Sequence, residues 1–271
     1  MPELPEIEVI KNIIYPYLKG NNINYSIIRN RKLKYLIPQE IISISNEKII
    51  NIKRRGRYII FILKNNSIII HLGMTGNLLI IQNNKKIKTY DHIDLVINNH
   101  IILRYSDIRK FGFWIWYNSK HYKNSIFIKK LGPEPLTNTF NSLYLYRITQ
   151  KKKIPIKVLL MMNEIVVGIG NIYSSESLFI SKILPYRKAN TLTFIEISIL
   201  VKNIKYILYK SIKNGGTSIY NYIDPYGRKG NYSKFLFVYK RNNKLCKICK
   251  TKILKMIHRN RSTFFCSVCQ I

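Results

Sequence analysis

Residues 58–72 of the chain read YIIFILKNNSIIIHL. Two short runs of β-branched and aromatic residues, Tyr58–Leu63 and Ser67–Leu72, flank the polar pair Asn65-Asn66. Such runs favour strands, and asparagine favours the tight turn between them. The run from Ser67 to Leu72 is too short to cross a membrane, so we interpret it as a buried strand. The stretch therefore predicts an antiparallel hairpin.

The same pattern continues on both sides of this hairpin, from Ile23 to about Tyr117, with further Asn-Asn turns at 83–84 and 98–99. A series of short strands joined by polar turns is typical of an antiparallel sandwich or barrel. A proline-bearing segment at 131–136 then ends the pattern and indicates a boundary. Besides the two runs of the hairpin, the predicted strands are Ile49–Ile52, Asn77–Ile81, Ile93–Ile97, Ile101–Tyr105 and Phe113–Tyr117.

Helical periodicity precedes and follows the predicted strands. Pro5 and Glu6 suit a first helical turn, and apolar residues then recur at helical spacing as far as Tyr15–Leu18, although Pro16 is able to kink or end the helix. The chain as a whole predicts an α+β fold. Beyond Phe140 the candidate helices are Leu143–Thr149, Ile156–Met162, Ile172–Ile180, Thr193–Ser211 and a short turn near Thr217–Tyr222, and a loop rich in glycine and charge follows at 224–230.

All four cysteines lie near the C-terminus, as the pairs Cys246/Cys249 and Cys266/Cys269, and residues 250–265 separate the pairs. This spacing is typical of a tetrahedral four-cysteine zinc site. Four thiolates leave no open position for water, so we expect one structural Zn²⁺ that folds a zinc-ribbon hairpin. We divide the chain into an N-terminal sandwich at 1–133, a linker and helical domain at 134–234, and a zinc finger at 235–271.

The charge is strongly basic, with 46 Lys and Arg against 13 Asp and Glu and a formal net charge of +33. Such an excess favours a polyanionic partner, either nucleic acid or an anionic membrane surface. Part of the lysine content is also explained by AT-rich codons, which equally encode the abundant Ile, Asn, Tyr and Phe. No secretory signal and no apolar run of membrane-spanning length occurs in the sequence, and with its clustered cysteines we expect a reducing cytoplasm.

The first six residues, MPELPE, contain a candidate nucleophile. If Met1 is removed, Pro2 becomes a terminal secondary amine, and terminal amines have a pKa of roughly 8. An unprotonated amine attacks a carbonyl-like carbon to form a Schiff base. Glu3 and Glu6 are candidate acid–base groups beside it. Taken alone, however, the six residues are more typical of an ordinary chain start that opens a helix.

Three further segments have the composition of a nucleic-acid interface. Gly168 and Gly170 precede a helix that begins near Asn171, which favours an anion at its N-terminus. Arg109 and Phe111, two positions apart on a loop, suit insertion into a DNA base stack. Met74 is a third candidate wedge, and Arg259 and Arg261, near the tip of the predicted hairpin, suit phosphate binding. Each segment alone is as typical of core or ordinary surface.

In combination, these residues resemble the formamidopyrimidine-DNA glycosylase family. The matching pieces run in one order along the whole chain: MPELPE, HLGMTG, YSDIRKFG, LGPEPL, VVGIGNIYSSESLF, NGGT and the closing zinc finger. The resemblance implies a two-domain bacterial enzyme with a β-sandwich, a helix–two-turn–helix domain and DNA in the cleft between. We expect the protein to be a monomer. It further implies excision of oxidised purines, 8-oxoguanine and formamidopyrimidines, from a flipped-out nucleotide of double-stranded DNA, followed by cleavage of the strand.

The resemblance also implies roles for single residues. Pro2 would be the nucleophile, Glu3 the proton donor, and Glu6 a member of the same cluster. Arg261 would take part in the final elimination and in phosphate binding. The residues that would fill the space left by the flipped base or contact the DNA backbone are Met74, Arg109, Phe111, Lys152 and Asn171.

Two positions depart from the family pattern. Arg57 stands where the family usually has a lysine that is credited as a proton donor in β-elimination. Arginine retains the charge but hardly ever releases a proton, so we do not transfer that role. Tyr90 stands where a DNA-contacting histidine is more usual, and its hydroxyl remains able to donate to a phosphate.

Two alternative functions are consistent with the sequence. The sister enzyme that removes oxidised pyrimidines shares the N-terminal proline and the zinc finger, whereas Leu4, Arg109 and Phe111 favour the purine branch. The other alternative is a non-catalytic zinc-ribbon DNA-binding protein. The presence of Pro2, Glu3 and Arg261 argues against it.

Overall fold

The structure is a computed structural model that describes residues 1–81, 86–98, 101–219 and 221–271. The chain forms two compact units, one of residues 1–129 with 214–233 and the other of residues 130–213 with 234–271. The three-part domain division given above stays a prediction. None of the helices in the described part of the chain is both long enough and apolar enough to cross a membrane.

The first unit is built on two antiparallel sheets. A buried core fills the space between them, so the predicted β-sandwich is confirmed. The four-stranded sheet has the order β3-β4-β5-β9, and the five-stranded sheet has the order β2-β1-β7-β8-β6. The strands are β1 Asn22–Ile28, β2 Ser45–Lys48, β3 Asn51–Arg55, β4 Tyr58–Ile62, β5 Ser67–His71, β6 Gly76–Ile81, β7 Asp91–Ile97, β8 Ile101–Asp107 and β9 Phe113–Tyr117.

The antiparallel hairpin predicted within residues 58–72 is formed by β4 and β5, with Phe61 opposite Ile68 and Tyr58 opposite His71. Its turn closes with a hydrogen bond from Leu63 N–H to Asn66 C=O (2.9 Å). Both strands are almost wholly buried, and Phe61 and Ile68 belong to the core between the two sheets. The predicted Asn-Asn turn at 83–84 lies outside the described residues, as does Asn99 of the turn at 98–99.

Helix α1 (Leu4–Leu18) packs on this core through Ile7, Ile10, Ile14 and Leu18. It runs through Pro16 and ends two residues later. Two one-turn helices, α2 (Gln39–Ile42) and α3 (Ile126–Lys129), also belong to the first unit.

The second unit is helical and carries a terminal hairpin, so the predicted α+β fold is confirmed. The helices are α4 Ser142–Thr149, α5 Ile156–Leu160, α6 Asn171–Ile180 and α7 Phe194–Lys213, and the hairpin strands are β10 Leu254–His258 and β11 Arg261–Phe265. Helix α7 buries one stripe of seven residues, among them Ile197, Leu200 and Ile204, which explains its strong sequence periodicity.

Two sequence-based boundaries are wrong. The strand expected at Ile49–Ile52 is β3, which extends instead to Arg55, because Arg55 pairs with Tyr58 and Arg54 binds Glu8 of α1 at 2.5 Å. The helical turn expected near Thr217 is replaced by a β-bridge from Thr217 to Asn231. The two preceding glycines both have positive φ, which ends the helical path before Thr217.

Candidate functional site

The start of α1 places two carboxylates around Pro2. Pro2 and Glu3 are buried just before the helix, and Glu3 forms the N-cap. Glu6 closes a capping box, in which its Oε2 accepts the Glu3 backbone N–H at 2.8 Å while the Glu3 side chain accepts a backbone N–H in return. Pro5 lies in the first turn of the helix, where an N–H group has no acceptor within the helix, so its missing N–H costs no hydrogen bond.

The second oxygen of Glu6 binds a segment far away in sequence. Glu6 Oε1 accepts the backbone N–H of Thr217 at 2.8 Å. Gly216 has φ +81°, and a Cβ at this position would lie 3.1 Å from Glu6 Oε1. The glycine therefore allows both the turn and the close approach to the carboxylate. Residues 214–217 are the NGGT piece of the sequence, and their position beside Glu6 gives that piece a structural reason.

The amine at the chain start lies in surroundings that favour its neutral form. Burial lowers the pKa of the Met1 amine, the Glu3 carboxylate opposes this, and the positive charge of Arg57 adds to the lowering. Arg57 is 8% exposed, and its Nη1 lies 3.7 Å from the Met1 sulfur. This amine is that of Met1, since the Pro2 nitrogen is part of a peptide bond as long as Met1 is present.

His71 is a residue that the sequence interpretation did not select. Burial lowers the pKa of its ring to about 4, with smaller contributions from the charges of Arg57 and Lys34. Its Nδ1 accepts the Gly73 backbone N–H at 3.1 Å, so the proton of the neutral ring is on Nε2. His71 stacks on Phe113, with the ring centroids 5.2 Å apart. The sequence signal was weak, since a lone histidine ending an apolar strand is common.

Met74 and Phe111 lie on two turns that are packed against each other. Met74 is 44% exposed and Phe111 is 46% exposed. A Cβ on Gly73 would lie 2.5 Å from the backbone carbon of Phe111, so only glycine permits this contact. The Arg109 guanidinium lies over the Phe111 ring at 4.4 Å. The structure thus brings Met74, Arg109 and Phe111 together as one exposed group. Tyr90 is half-buried in the turn before β7.

In the second unit, the Asn171 side chain is held by neighbours from two elements. Its Oδ1 accepts from Lys157 Nζ at 2.5 Å, and its Nδ2 donates to the Ser262 carbonyl at 2.9 Å. Lys157 is 1% exposed and also donates to Thr263 Oγ1 at 2.7 Å. Asn171 is the first residue of α6, so this network joins the helix start to strand β11. Lys152 is exposed in the segment before α5.

The hairpin of β10 and β11 turns through Arg259 and Asn260, both of which have positive φ. A two-residue turn of this kind matches the natural twist of the strands. Arg261 follows the turn as the first residue of β11, and its side chain is exposed.

Sequence reasoning did not select Lys157, although a lysine inside the apolar run IPIKVLL was a detectable signal.

The four cysteines form one cluster, with all Sγ atoms within 4.8 Å of one another. Cys246 and Cys269 are 3.8 Å apart at sulfur, and Cys249 and Cys266 are 3.4 Å apart. A tetrahedral zinc with Zn–S bonds of about 2.3 Å places its sulfurs roughly 3.8 Å apart. The cluster therefore fits a zinc ion in both donor type and size.

Two family models match the chain. The formamidopyrimidine-DNA glycosylase N-terminal domain matches residues 1–114, and the formamidopyrimidine-DNA glycosylase H2TH domain matches residues 131–222. The chain belongs to the formamidopyrimidine-DNA glycosylase family. It is therefore a DNA-binding repair enzyme of the glycosylase class, as the sequence pieces predicted.

Curated relatives agree over the full length. The formamidopyrimidine-DNA glycosylases of Yersinia enterocolitica and Proteus mirabilis are 43% and 44% identical over 270 residues, covering 100% of this chain and 100% and 98% of theirs. Among solved structures, a complex of Lactococcus lactis Fpg with abasic-site DNA has TM-score 0.91 at 31% identity, covering 99% of both chains. A Lactococcus lactis Fpg mutant bound to Fapy-dG-containing DNA has TM-score 0.92 at 31% identity, again covering 99% of both.

Proposed function

We propose that this member of the formamidopyrimidine-DNA glycosylase family is a bifunctional DNA glycosylase and abasic-site lyase for oxidised purines, 8-oxoguanine and formamidopyrimidines. The observation that carries the proposal is the buried Pro2 beside a carboxylate cluster, with Glu6 fixed between the start of α1 and Thr217. The related Lactococcus lactis protein was solved with both Fapy-dG and abasic-site DNA, which supports the choice of substrate.

The chemistry begins once removal of Met1 frees the Pro2 amine. The amine attacks the anomeric carbon of the flipped-out nucleotide, the bond from that carbon to the damaged base breaks, and the base leaves with the proton that the amine nitrogen loses. Glu3 then protonates the ring oxygen of the sugar, and the bond from this oxygen to the anomeric carbon breaks. The product is an iminium ion, which acidifies the adjacent sugar carbon. Successive β- and δ-eliminations then cut the strand on both sides and leave a one-nucleotide gap. Glu6 holds the start of α1 in place, so that the amine stays in line with its target.

DNA binding is assigned to exposed groups of both units. Met74, Arg109 and Phe111 fill the space left by the extruded base, and Tyr90 donates to the backbone. Arg261 and Lys152 bind phosphates. Because the Asn171 side chain is held by Lys157 and Ser262, we assign its phosphate contact to the first-turn N–H groups of α6. The protein acts as a monomer.

We further propose that Cys246, Cys249, Cys266 and Cys269 hold one structural Zn²⁺. Four thiolates close the coordination sphere, so the ion, when bound, folds the hairpin that carries Arg261 and supplies no chemistry. The hairpin core supports this role, because Phe264, Val238 and Phe179 pack around Cys246 and Cys266.

Borohydride trapping tests the catalytic assignment. The processed protein should become covalently linked to duplex DNA containing 8-oxoguanine, because borohydride reduces the Pro2 iminium. Pro2→Gly should weaken or abolish the adduct. Correctly processed protein that binds the duplex and forms no adduct would instead favour the non-catalytic DNA-binding protein.

The choice of lesion needs a separate comparison. Duplexes that contain 8-oxoguanine or thymine glycol at the same position are treated with the same protein, and the release of each base is followed in a single turnover. We expect faster release of 8-oxoguanine. Rapid release of thymine glycol alone would assign the chain to the oxidised-pyrimidine branch.

A further inference from the structure

The Asp107 carboxylate is fully buried at the end of β8 and accepts four hydrogen bonds. Its Oδ1 accepts from Thr75 Oγ1 at 2.5 Å and from the Arg109 N–H at 3.2 Å. Its Oδ2 accepts from the Tyr105 hydroxyl at 3.0 Å and from the Gly112 N–H at 2.8 Å. One side chain is thus the common acceptor for the turn that carries Met74 and the turn that carries Arg109 and Phe111.

The backbone of Asp107 holds the same region together. Its N–H donates to the Tyr90 carbonyl at 2.9 Å, and its own carbonyl accepts from His92 Nε2 at 2.8 Å. The Arg109 N–H also donates to Thr75 Oγ1 at 3.1 Å, which links the two turns directly. Every segment of the first unit that was assigned to DNA binding is therefore bonded to this one aspartate.

The surroundings leave little room for the turns to adjust. A Cβ on Gly76 would lie 2.8 Å from the Tyr105 hydroxyl, and one on Gly112 would overlap that hydroxyl. Burial, together with the Asp107 charge, raises the pKa of Tyr105 well above its usual value, so the hydroxyl keeps its proton and donates it. The turns are packed backbone against backbone, and the carboxylate is the acceptor that this arrangement requires.

We propose that Asp107 is a positioning residue of the DNA-reading surface: its carboxylate sets Met74, Arg109 and Phe111 in the one arrangement that fills the space left by a flipped base. The inference rests on the proposed function, since it assigns a task to residues proposed there to bind DNA. Asp107 touches neither the sugar nor the base. It acts by holding the two turns while their exposed side chains enter the duplex.

The substitution Asp107→Asn should disturb the placement of the two turns without changing the reacting groups at Pro2 and Glu3. The amide has nearly the same shape, but only one oxygen accepts, and its NH₂ faces hydrogen-bond donors. One of the two turns then loses its acceptor and moves, whereas Pro2 and Glu3 keep their own bonds at the start of α1. Thr75→Val is a milder second variant, which removes the link between the turns and leaves the carboxylate intact.

The experiment compares two substrates for each variant in single-turnover reactions. One is a duplex with 8-oxoguanine opposite cytosine, in which a void must be filled. The other is a preformed abasic site in single-stranded DNA, which needs the Pro2 amine but has no opposite base. For Asp107→Asn we expect excision from the duplex to fall by on the order of ten- to a hundredfold. Cleavage of the single strand should stay within about twofold of the unaltered protein. Thr75→Val should lower the rate on the duplex by a smaller factor and likewise leave the rate on the single strand within about twofold.

Asp94→Asn serves as the matched control. Asp94 is a buried carboxylate on the neighbouring strand β7, bonded to Arg104 and Arg29 at 2.8 and 2.7 Å, and it touches neither turn. The substitution Asp94→Asn should lower the midpoint of thermal unfolding without changing the ratio of duplex excision to single-strand cleavage. Equal losses on both substrates, or no loss on the duplex, for folded Asp107→Asn and Thr75→Val would overturn the inference. Failure of the unaltered protein on both substrates would instead overturn the proposed function.

Discussion

At the scale of single residues, Arg57 is the departure from the family pattern that bears most directly on the proposed chemistry. Its charge lies beside the Met1 amine and adds to the lowering of the pKa of that amine. We expect the same charge to lower the pKa of the Pro2 amine once Met1 is removed, which leaves more of that amine unprotonated for attack. The guanidinium, however, is a poor proton donor at any physiological pH. Charge and proton transfer are therefore separable here.

The substitution Arg57→Lys should distinguish the effect of the positive charge from the effect of proton transfer. Lysine keeps the positive charge, so the pH at which trapping is half-maximal should stay within about half a unit and below the usual amine value of about 8. It also offers a transferable proton, so strand cleavage should speed up relative to base release by a factor of about three to ten. Gel analysis of cleaved strand and trapped adduct from pH 5.5 to 9 measures both.

The neutral variant Arg57→Gln is the control for charge. It should raise the amine pKa and move the trapping profile to higher pH, because a cation that disfavoured the protonated amine is gone. If Arg57→Lys leaves cleavage and base release in their original ratio, another group already supplies the proton.

Contacts between residues close in sequence were easier to predict than contacts between residues far apart in sequence. Pro2, Glu3 and Glu6 form one motif, and their capping box follows from their spacing. The bond from Glu6 to Thr217 joins residues 211 positions apart, and neither periodicity nor composition contains that information. Asp107 was visible only as part of a matching piece, because the donors that define its role come from separate turns.

At the scale of elements, the second unit depends on a carboxylate inside α6. Glu176 is completely buried and accepts the backbone N–H groups of Phe237, Val238 and Tyr239 at 2.7–2.9 Å. Burial raises its pKa, and the three donors oppose that rise. The segment from 237 to 239 leads into the cysteine ribbon, so Glu176 fixes where the ribbon begins.

Glu176→Gln should lower the free energy of unfolding by about 1–3 kcal/mol, because the amide NH₂ points at N–H donors and leaves buried groups unpaired. Urea unfolding measures the loss. Glu196→Gln is the control, since Glu196 forms a half-exposed pair with Arg187 and should change stability by less than about 1 kcal/mol. Equal effects of the two substitutions would contradict the anchoring role of Glu176.

The helices of the second unit were predicted closely, and α7 shows why, because its buried residues form one stripe at helical spacing. The expected bounds of α4, α5, α6 and α7 differ from the observed ones by at most two residues. Strand β3 was harder to predict, since three of its five residues are Lys53, Arg54 and Arg55, and charged residues do not favour a strand unless partners hold them. Here the partners are Glu8 on α1 and the neighbouring strand β4.

At the scale of the whole molecule, the net charge of +33 has two explanations that predict different behaviour. If the charge was selected for DNA, many lysines and arginines meet phosphates and release counterions on binding. The logarithm of the binding constant then falls with the logarithm of salt concentration, by about 0.9 for each phosphate neutralised on a duplex. If the charge mostly reflects codon composition, few of the cations touch DNA and the slope is shallow.

Titration of binding to lesion duplex between 50 and 300 mM KCl distinguishes these cases, and we expect a slope steeper than about −4. Lys152→Ala should reduce the slope by about 1, because it removes one proposed phosphate contact. Lys19→Ala is the control. Lys19 is exposed at the far end of α1 from Pro2, roughly 22 Å along the helix, and its loss should leave the slope unchanged. If both substitutions changed the slope equally, the charge would act as a diffuse field. If neither did and the slope were shallow, most of the basic residues would reflect composition alone.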